Sequence, residues 1–472
     1  MTISNDILAL LREAAGPNGW IDAPQEMEPY TLEQRGYYHG TCDLVVRPAS
    51  VEAVSNIVKI CADAGVSITP QSGNTGLMGG GVPDGGIVIN LSRMNKIRDV
   101  DQLNFTMTAE AGCILADIQD AAQQNGCLFP LSLGAEGSCQ IGGNISTNAG
   151  GVNVLQYGNT RELVLGLEVV LPDGRIWNGL RGLRKDNTGY DLKQIFIGAE
   201  GTLGIITAAV LKLFPFSKSK ETAMAAGQSP KEMLALFSAI RDLFGENLTA
   251  FEIIPRVAVE LVAKHIPDTA DPFDESYPFY ALIELSSARH NEDLREALEE
   301  ALGQALEDEV IDNAVVATSE AQAMQLWRIR ETVPEAEKLE GASIKHDVSV
   351  PVSKVAAFLE HAGDIVQGVV SGARLVSFGH LGDGNIHFNI SQPEGMDPAE
   401  FLKHRHNIST QVLDLVVSMG GSFSAEHGIG RQKRKELSHY KAGVEIDLMQ
   451  TIKSALDPSR IMNPGKIVDD QK

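Results

Sequence analysis

The sequence lacks the features that define several large functional classes. No apolar run reaches the roughly 18 residues that cross a bilayer. The opening segment, Met1–Gly16, mixes Asp6, Arg12 and Glu13 into an amphipathic pattern unlike a secretory signal. Basic charge is scarce: 39 Lys and Arg stand against 62 Asp and Glu, for a net charge of −23. That balance argues against nucleic acid or an anionic membrane as a partner, and an anionic substrate would need a local cluster of Arg or Lys. Cysteine is sparse and odd in number, with Cys42, Cys61, Cys113, Cys127 and Cys139 lacking C-x-x-C spacing. This fits reduced, buried thiols and a cytoplasmic location. Neither the P-loop pattern nor the G-x-G-x-x-G dinucleotide fingerprint is present, so nothing supports NAD.

Glycine, by contrast, is concentrated in phrases. Pro70–Pro83 reads PQSGNTGLMGGGVP and follows a short β-branched stretch, Val66–Thr69. Glycine tolerates positive φ and lets backbone N–H groups approach a ligand, and strings of such groups cradle phosphate. Three more segments follow: Leu133–Gly151, Asn187–Asp191 and Ile197–Thr207, each mixing Gly with Ser, Thr or Asn. A turn requirement explains any single glycine equally well. Four such segments between Pro70 and Thr207 fit a long, extended ligand better than a lone phosphate, and FAD meets that requirement.

The pattern of elements divides the chain. Leu44–Arg47, a helix over Val51–Ala64 capped by Ser50, and Val66–Thr69 form a β-α-β start. Short strands and helices continue to Phe214. Beyond Ser217–Lys220, longer helices alternate with strands, which suggests a second α+β domain with an antiparallel sheet. The expected organisation is residues 1–217, 218–425 and a C-terminal segment, 426–472.

Two histidines stand in one phrase, Ser377-Phe-Gly-His-Leu-Gly-Asp-Gly-Asn-Ile-His-Phe-Asn389. On a straight strand His380 and His387 face opposite sides. Asp383-Gly384 is a hairpin signal, and a turn there puts both imidazoles on paired strands where they can converge. Gly420–Gly430 adds Glu426 and His427. His, His and carboxylate make a divalent-metal donor set, borderline toward zinc. The alternative is satisfied polar groups near a sheet edge.

These phrases carry a resemblance. PQSGNTGL, GSCQIGGNISTNAGG and GAEGTLGIIT, with the closing IMNPGKI, resemble the vanillyl-alcohol-oxidase (p-cresol methylhydroxylase) flavoprotein superfamily. The resemblance implies an α+β fold: a two-subdomain FAD-binding domain, an antiparallel-sheet cap domain over the substrate, and a C-terminal return to the FAD domain. It implies that Ser72, Gly73, Asn74, Thr75 and Gly76 cradle the pyrophosphate. Gly137, Ser138, Gly142, Gly143, Asn144, Ser146, Thr147, Gly150 and Gly151 line the flavin and ribityl chain, and Gly201, Ile206 and Asn463 complete the site. None of these loops contains the His through which some members attach FAD, so FAD is expected to be non-covalent.

GHLGDGNIHFN and AEHGIG are similar to signatures of the D-2-hydroxy-acid dehydrogenase branch, which includes D-lactate and D-2-hydroxyglutarate dehydrogenases and the glycolate oxidase flavin subunit. The resemblance implies metal ligands at His380, His387 and Glu426, zinc or else manganese, a catalytic base at His427, and substrate contacts from Asn389, Arg330 and Lys345. Without it, Arg328 and Arg330 read as solvated or paired with Glu331. Pro334 departs from the pattern, standing where the D-2-hydroxyglutarate enzymes have a Thr hydroxyl; the Arg/Lys pair still favours a second carboxylate. The expected activity is FAD-dependent oxidation of a D-2-hydroxy acid, D-2-hydroxyglutarate first and D-lactate or a glycolate oxidase-type role second. Electrons would leave to an electron-transfer flavoprotein, a cytochrome or a quinone, and a homodimer is compatible with this reading.

Overall fold

The computed structural model describes residues 3–289 and 293–468. The chain forms two compact units. One comprises Met1–Gly151, Tyr157–Phe216 and Glu426–Lys472; the other comprises Val152–Gln156 and Ser217–Ala425.

In the first unit, after the helices Asn5–Ala15 and Pro24–Thr31, stands the β-α-β element read from the sequence. Ser50 accepts from Ala53 N at 3.2 Å to open the helix Val51–Ala64, and Gly65, in the left-handed region at φ 64°, closes it. Its apolar stripe, Val54, Ile57, Val58 and Cys61, is buried. The strands on either side, Leu44–Val46 and Ile68–Gln71, both run parallel to Ile87–Asn90, which lies between them. A second, five-stranded antiparallel sheet is built around Ile205–Lys212, which pairs with Thr106–Glu110 and Val164–Val170. Two apolar cores serve these sheets.

The C-terminal segment closes onto the parallel sheet through backbone and buried charge. Ile68 N donates to Ile461 O and Asn463 N donates to Ile68 O, both at 2.7 Å. Lys453 Nζ, almost fully buried, donates to Asp457 Oδ2 at 2.6 Å and to the carbonyls of Thr202 and Met462. Asp457 in turn accepts from Ile461 N and Met462 N. The C-terminal return is thus locked by a buried ion pair and backbone bonds, and the helix Gly443–Leu456 leads into it.

The second unit is a seven-stranded, wholly antiparallel sheet. Helices cover both faces. Arg256–His265, Glu320–Glu331 and Val333–Glu340 lie on the face that carries Phe378, and Val355–Val369 and Arg405–Ser418 lie on the face that carries Phe388 and His346.

Candidate functional site

Within the first unit a cleft with about 900 Å³ of space, its open mouth included, is lined by the glycine phrases. Ser72, Gly73, Asn74, Thr75 and Gly76 come from the first phrase. Gly142, Gly143, Asn144, Ser146 and Thr147 come from the second, and Gly201 and Ile206 from the fourth. The close approaches require glycine: a Cβ on Gly73 would lie 2.3 Å from Ser138 O. The middle of the second phrase is helical, Ile141–Thr147, because Asn148 in the left-handed region at φ 49° ends it as a helix terminus does.

Five expected flavin residues stand outside that lining. Gly137 and Ser138 belong to the turn before the short helix, with Ser138 Oγ on Ala135 O. Gly150 backs onto Glu426, and Gly151 packs against Ser132 O. Asn463 donates to the carbonyls of Gly80 and Glu200 and so ties the cleft walls together. The third glycine phrase, Asn187–Asp191, is exposed and lines a different surface cleft with Arg181 and Arg184.

The cleft fits a long polar cofactor. The side-chain oxygens of Gln140 and Asn144 are buried in its wall with no protein hydrogen-bond partner, and an unsatisfied buried acceptor is costly unless a ligand or water meets it. Nothing stands within 4 Å of where a Cβ on Gly76 would sit. His427 shares the same lining.

Glu200 also shares it, and the sequence reading passed over it. It occupies the left-handed region at φ 50°. Its two carboxylate oxygens accept from Ile429 N and Gly430 N, each at 2.7 Å, so it grips the loop that carries His427. Glu200 keeps some surface because it borders the cleft, but its carboxylate sits among protein atoms. Burial pushes that carboxyl up to about 7, against the two N–H donors and the charges of Lys466 and Lys433. A Cβ on Gly428 would lie 2.7 Å from Glu200 Oε1, so glycine is needed for this grip. The signal in the sequence was an acidic residue amid a phosphate-cradle phrase, where a carboxylate has no place unless it bonds protein.

In the second unit one face of the sheet gathers the other candidates. The strands Arg374–His380 and Asn385–Ser391 form the hairpin expected at Asp383-Gly384, with Gly384 at φ 81°. Its register pairs His380 with Asn385 and Phe378 with His387, which puts both imidazoles on one face, ring centroids 5.7 Å apart. The next strand pairs Lys345 with Asn389 and Asp347 with His387. Period-2 alternation therefore adds Asp347, which the sequence reading missed; its Oδ1 is 3.9 Å from His387 Nδ1.

Two buried glutamates, also missed, organise this face. Glu252 Oε2 accepts from Arg330 Nε at 2.5 Å, and its Oε1 meets His380 Nδ1 at 2.5 Å. Burial alone would raise this carboxyl, but Arg330 and His380 hold it down to about 2. A carboxylate on one ring nitrogen fixes the orientation of an imidazole, and Glu252 holds His380 in this way. Arg330 is buried and its guanidinium lies 4.6 Å from the Phe378 ring centre, so the solvated pairing with Glu331 does not describe it. The second glutamate, Glu337, accepts from Lys345 Nζ at 2.6 Å and Asn389 Nδ2 at 2.9 Å on the same oxygen. A charged residue inside an apolar strand, as in Thr-Ala-Phe-Glu-Ile-Ile, was the available sign for Glu252.

Known proteins match this chain along nearly its whole length. The family model for FAD linked oxidases, C-terminal domain, covers residues 217–467, and an FAD binding domain covers 42–179. D-2-hydroxyglutarate dehydrogenase, mitochondrial, of Danio rerio is 38% identical over 96% of this chain and 84% of its own length. The protein of that name in Arabidopsis thaliana is 37% identical over 98% and 82%. A D-2-hydroxyglutarate–pyruvate transhydrogenase of Saccharomyces cerevisiae is 36% identical over 94% and 90%. Among solved structures, p-cresol methylhydroxylase with substrate bound superposes with a TM-score of 0.76 at 18% identity, over 98% of this chain and 97% of that one. 4-Ethylphenol oxidase from Gulosibacter chungangensis does so at 0.74 and 17%, over 99% and 98%. These two fix the fold: mixed α and β, with the p-cresol methylhydroxylase type of FAD-binding domain.

One expectation is overturned. The relatives from zebrafish and Arabidopsis are named mitochondrial, which points to the mitochondrion instead of the cytoplasm. The five cysteines form no disulfide in this structure, and burial pushes the Cys61 and Cys113 thiols up to about 12. Buried thiols of this kind do not distinguish one compartment from another. This chain belongs to the FAD-linked oxidase family, in its D-2-hydroxy-acid dehydrogenase branch, and is an FAD-dependent oxidoreductase.

Proposed function

We propose that this enzyme oxidises D-2-hydroxyglutarate to the 2-oxo acid. The observation that carries the reading is the set of relatives named for that substrate, aligned at 36–38% identity over nearly the whole chain. In this reading residues 1–217 bind FAD, 218–425 supply the substrate contacts, and 426–472 complete the site. When bound, FAD supplies the two-electron acceptor, non-covalently, and a divalent ion, zinc or manganese, supplies a Lewis acid. His380, His387 and Glu426 would hold the ion. His427 takes the proton from the substrate hydroxyl, a role supported by its place in the lining of the cofactor cleft. Glu200 keeps the His427 loop in register through its two backbone bonds. Arg330, Lys345 and Asn389 hold the substrate's carboxylates, with Arg330 suited to a bidentate grip. The acceptor for the electrons would be an electron-transfer flavoprotein, a cytochrome or a quinone.

D-lactate is the second reading. Pro334 in place of a Thr hydroxyl favours it, as do the carboxylates that already partner Arg330 and Lys345. His427→Ala tests the core of the proposal. The variant should keep its FAD and lose flavin reduction by at least about a hundredfold, as removal of a general base does. Near-normal single-turnover reduction would remove His427 from the role.

A further inference from the structure

Both cations expected to receive substrate carboxylate already have a carboxylate of this chain beside them. For Arg330 the partner is Glu252, which also orients His380. For Lys345 the partner is Glu337, and that residue has no such second duty toward a histidine. Glu337 lies on the helix Val333–Glu340, and its side chain is 0% exposed while that of Lys345 is 31% exposed. Lys345 and Asn389 face each other across paired strands, and both donate to the same oxygen, Oε2, at 2.6 Å and 2.9 Å. The Glu337 carboxylate is therefore held where two donors converge, as a bound carboxylate ligand would be. Burial pushes its carboxyl upward, against Lys345, Asn389 and Ser343.

We propose that Glu337 sets the substrate selectivity of the subsite at Lys345 and Asn389, competing with the second carboxylate of a dicarboxylic 2-hydroxy acid for those two donors. A second carboxylate arriving there puts two like charges on one ammonium in poorly solvated surroundings, where each disfavours the other. A distal amide, hydroxyl or methyl group brings no such conflict. The enzyme thus accepts D-2-hydroxyglutarate with a muted preference for its distal charge and extends to 2-hydroxy acids with a neutral distal group. This deepens the functional reading above and rests on it.

The test compares three substrates: D-2-hydroxyglutarate, its distal amide and D-lactate. Their kcat/KM values are measured on the FAD- and metal-loaded enzyme. In the wild type, the amide should be used within about tenfold of the dicarboxylate, a gap of about 1.4 kcal/mol. A preference of about a thousandfold or more for the dicarboxylate would overturn the inference. Glu337→Gln keeps an oxygen for Asn389 and removes the charge. It should raise the ratio of dicarboxylate to D-lactate kcat/KM by at least about fivefold, through KM, and the gain should vanish when Lys345→Met is added. An unchanged or lowered ratio in a folded, FAD-bound Glu337→Gln enzyme would overturn it. Should that variant not fold, the wild-type comparison decides alone. If none of the three acids reduces the flavin of the wild-type enzyme, the functional reading falls and this inference with it.

Discussion

Glu200 shows how one side chain links the fold to the chemistry. Its oxygens hold two backbone N–H groups of the His427 loop, and its own carbonyl accepts from Asn463. The same burial that makes the grip strong is unfavourable for the ionised form. At pH values below the ordinary carboxyl value of 4.5, the group is protonated in both folded and unfolded chains. Between 4.5 and about 7 only the folded chain keeps the proton, so the folded state binds more protons and this contribution to stability falls as pH rises. Glu200→Gln removes the titration. The stability of the variant relative to wild type should therefore improve by about 2 kcal/mol between about pH 4.5 and about pH 7.5, allowing for solvent at the cleft. Urea unfolding at the two pH values measures this, and a constant difference would show that the carboxyl is not raised. Glu200, Glu252 and Glu337 all escaped the sequence reading for one physical reason. A buried carboxylate is recognised by its partners, and those lie between 8 and 230 residues away in the chain.

At the scale of elements, pattern carried much of the structure. Ser50 and Gly65 bound their helix because capping is local chemistry, and Asp383-Gly384 turned where a two-histidine phrase needed it. Register was less legible. That Lys345 pairs with Asn389 and Asp347 with His387 depends on strands more than 35 residues apart, so Asp347 was invisible beside its histidine. The short helix Ile141–Thr147 was hidden because Gly142 and Gly143 read as loop. The C-terminal return hinges on the buried Lys453–Asp457 pair. Asp457→Ala leaves that ammonium buried without its carboxylate and should cost about 3–5 kcal/mol. Thermal or urea unfolding of the apo-protein reads the loss, and a change below about 1 kcal/mol would show that the pair does not hold the tail.

Over the whole molecule, a chain of net charge −23 that handles an anion must concentrate its cations. In the proposed site those cations are Arg330 and Lys345, and each stands beside a glutamate. The family and the cofactor were legible because glycine phrases encode close backbone approach, which sequence records directly. Location was not, because cysteine usage reports redox poise alone. The metal proposal has its own whole-enzyme test: exhaustive chelation should abolish turnover and added Zn²⁺ or Mn²⁺ should restore it, whereas full activity in metal-free protein would remove the ion from the account. The central claim is that this chain by itself takes electrons from a D-2-hydroxy acid. Anaerobic bleaching of its flavin against paired D- and L-2-hydroxyglutarate and D- and L-lactate tests that most directly. Rapid bleaching by the D acids, with the L acids inert, is the predicted result; an unchanged flavin spectrum with every acid, or equal bleaching by both enantiomers, would contradict it.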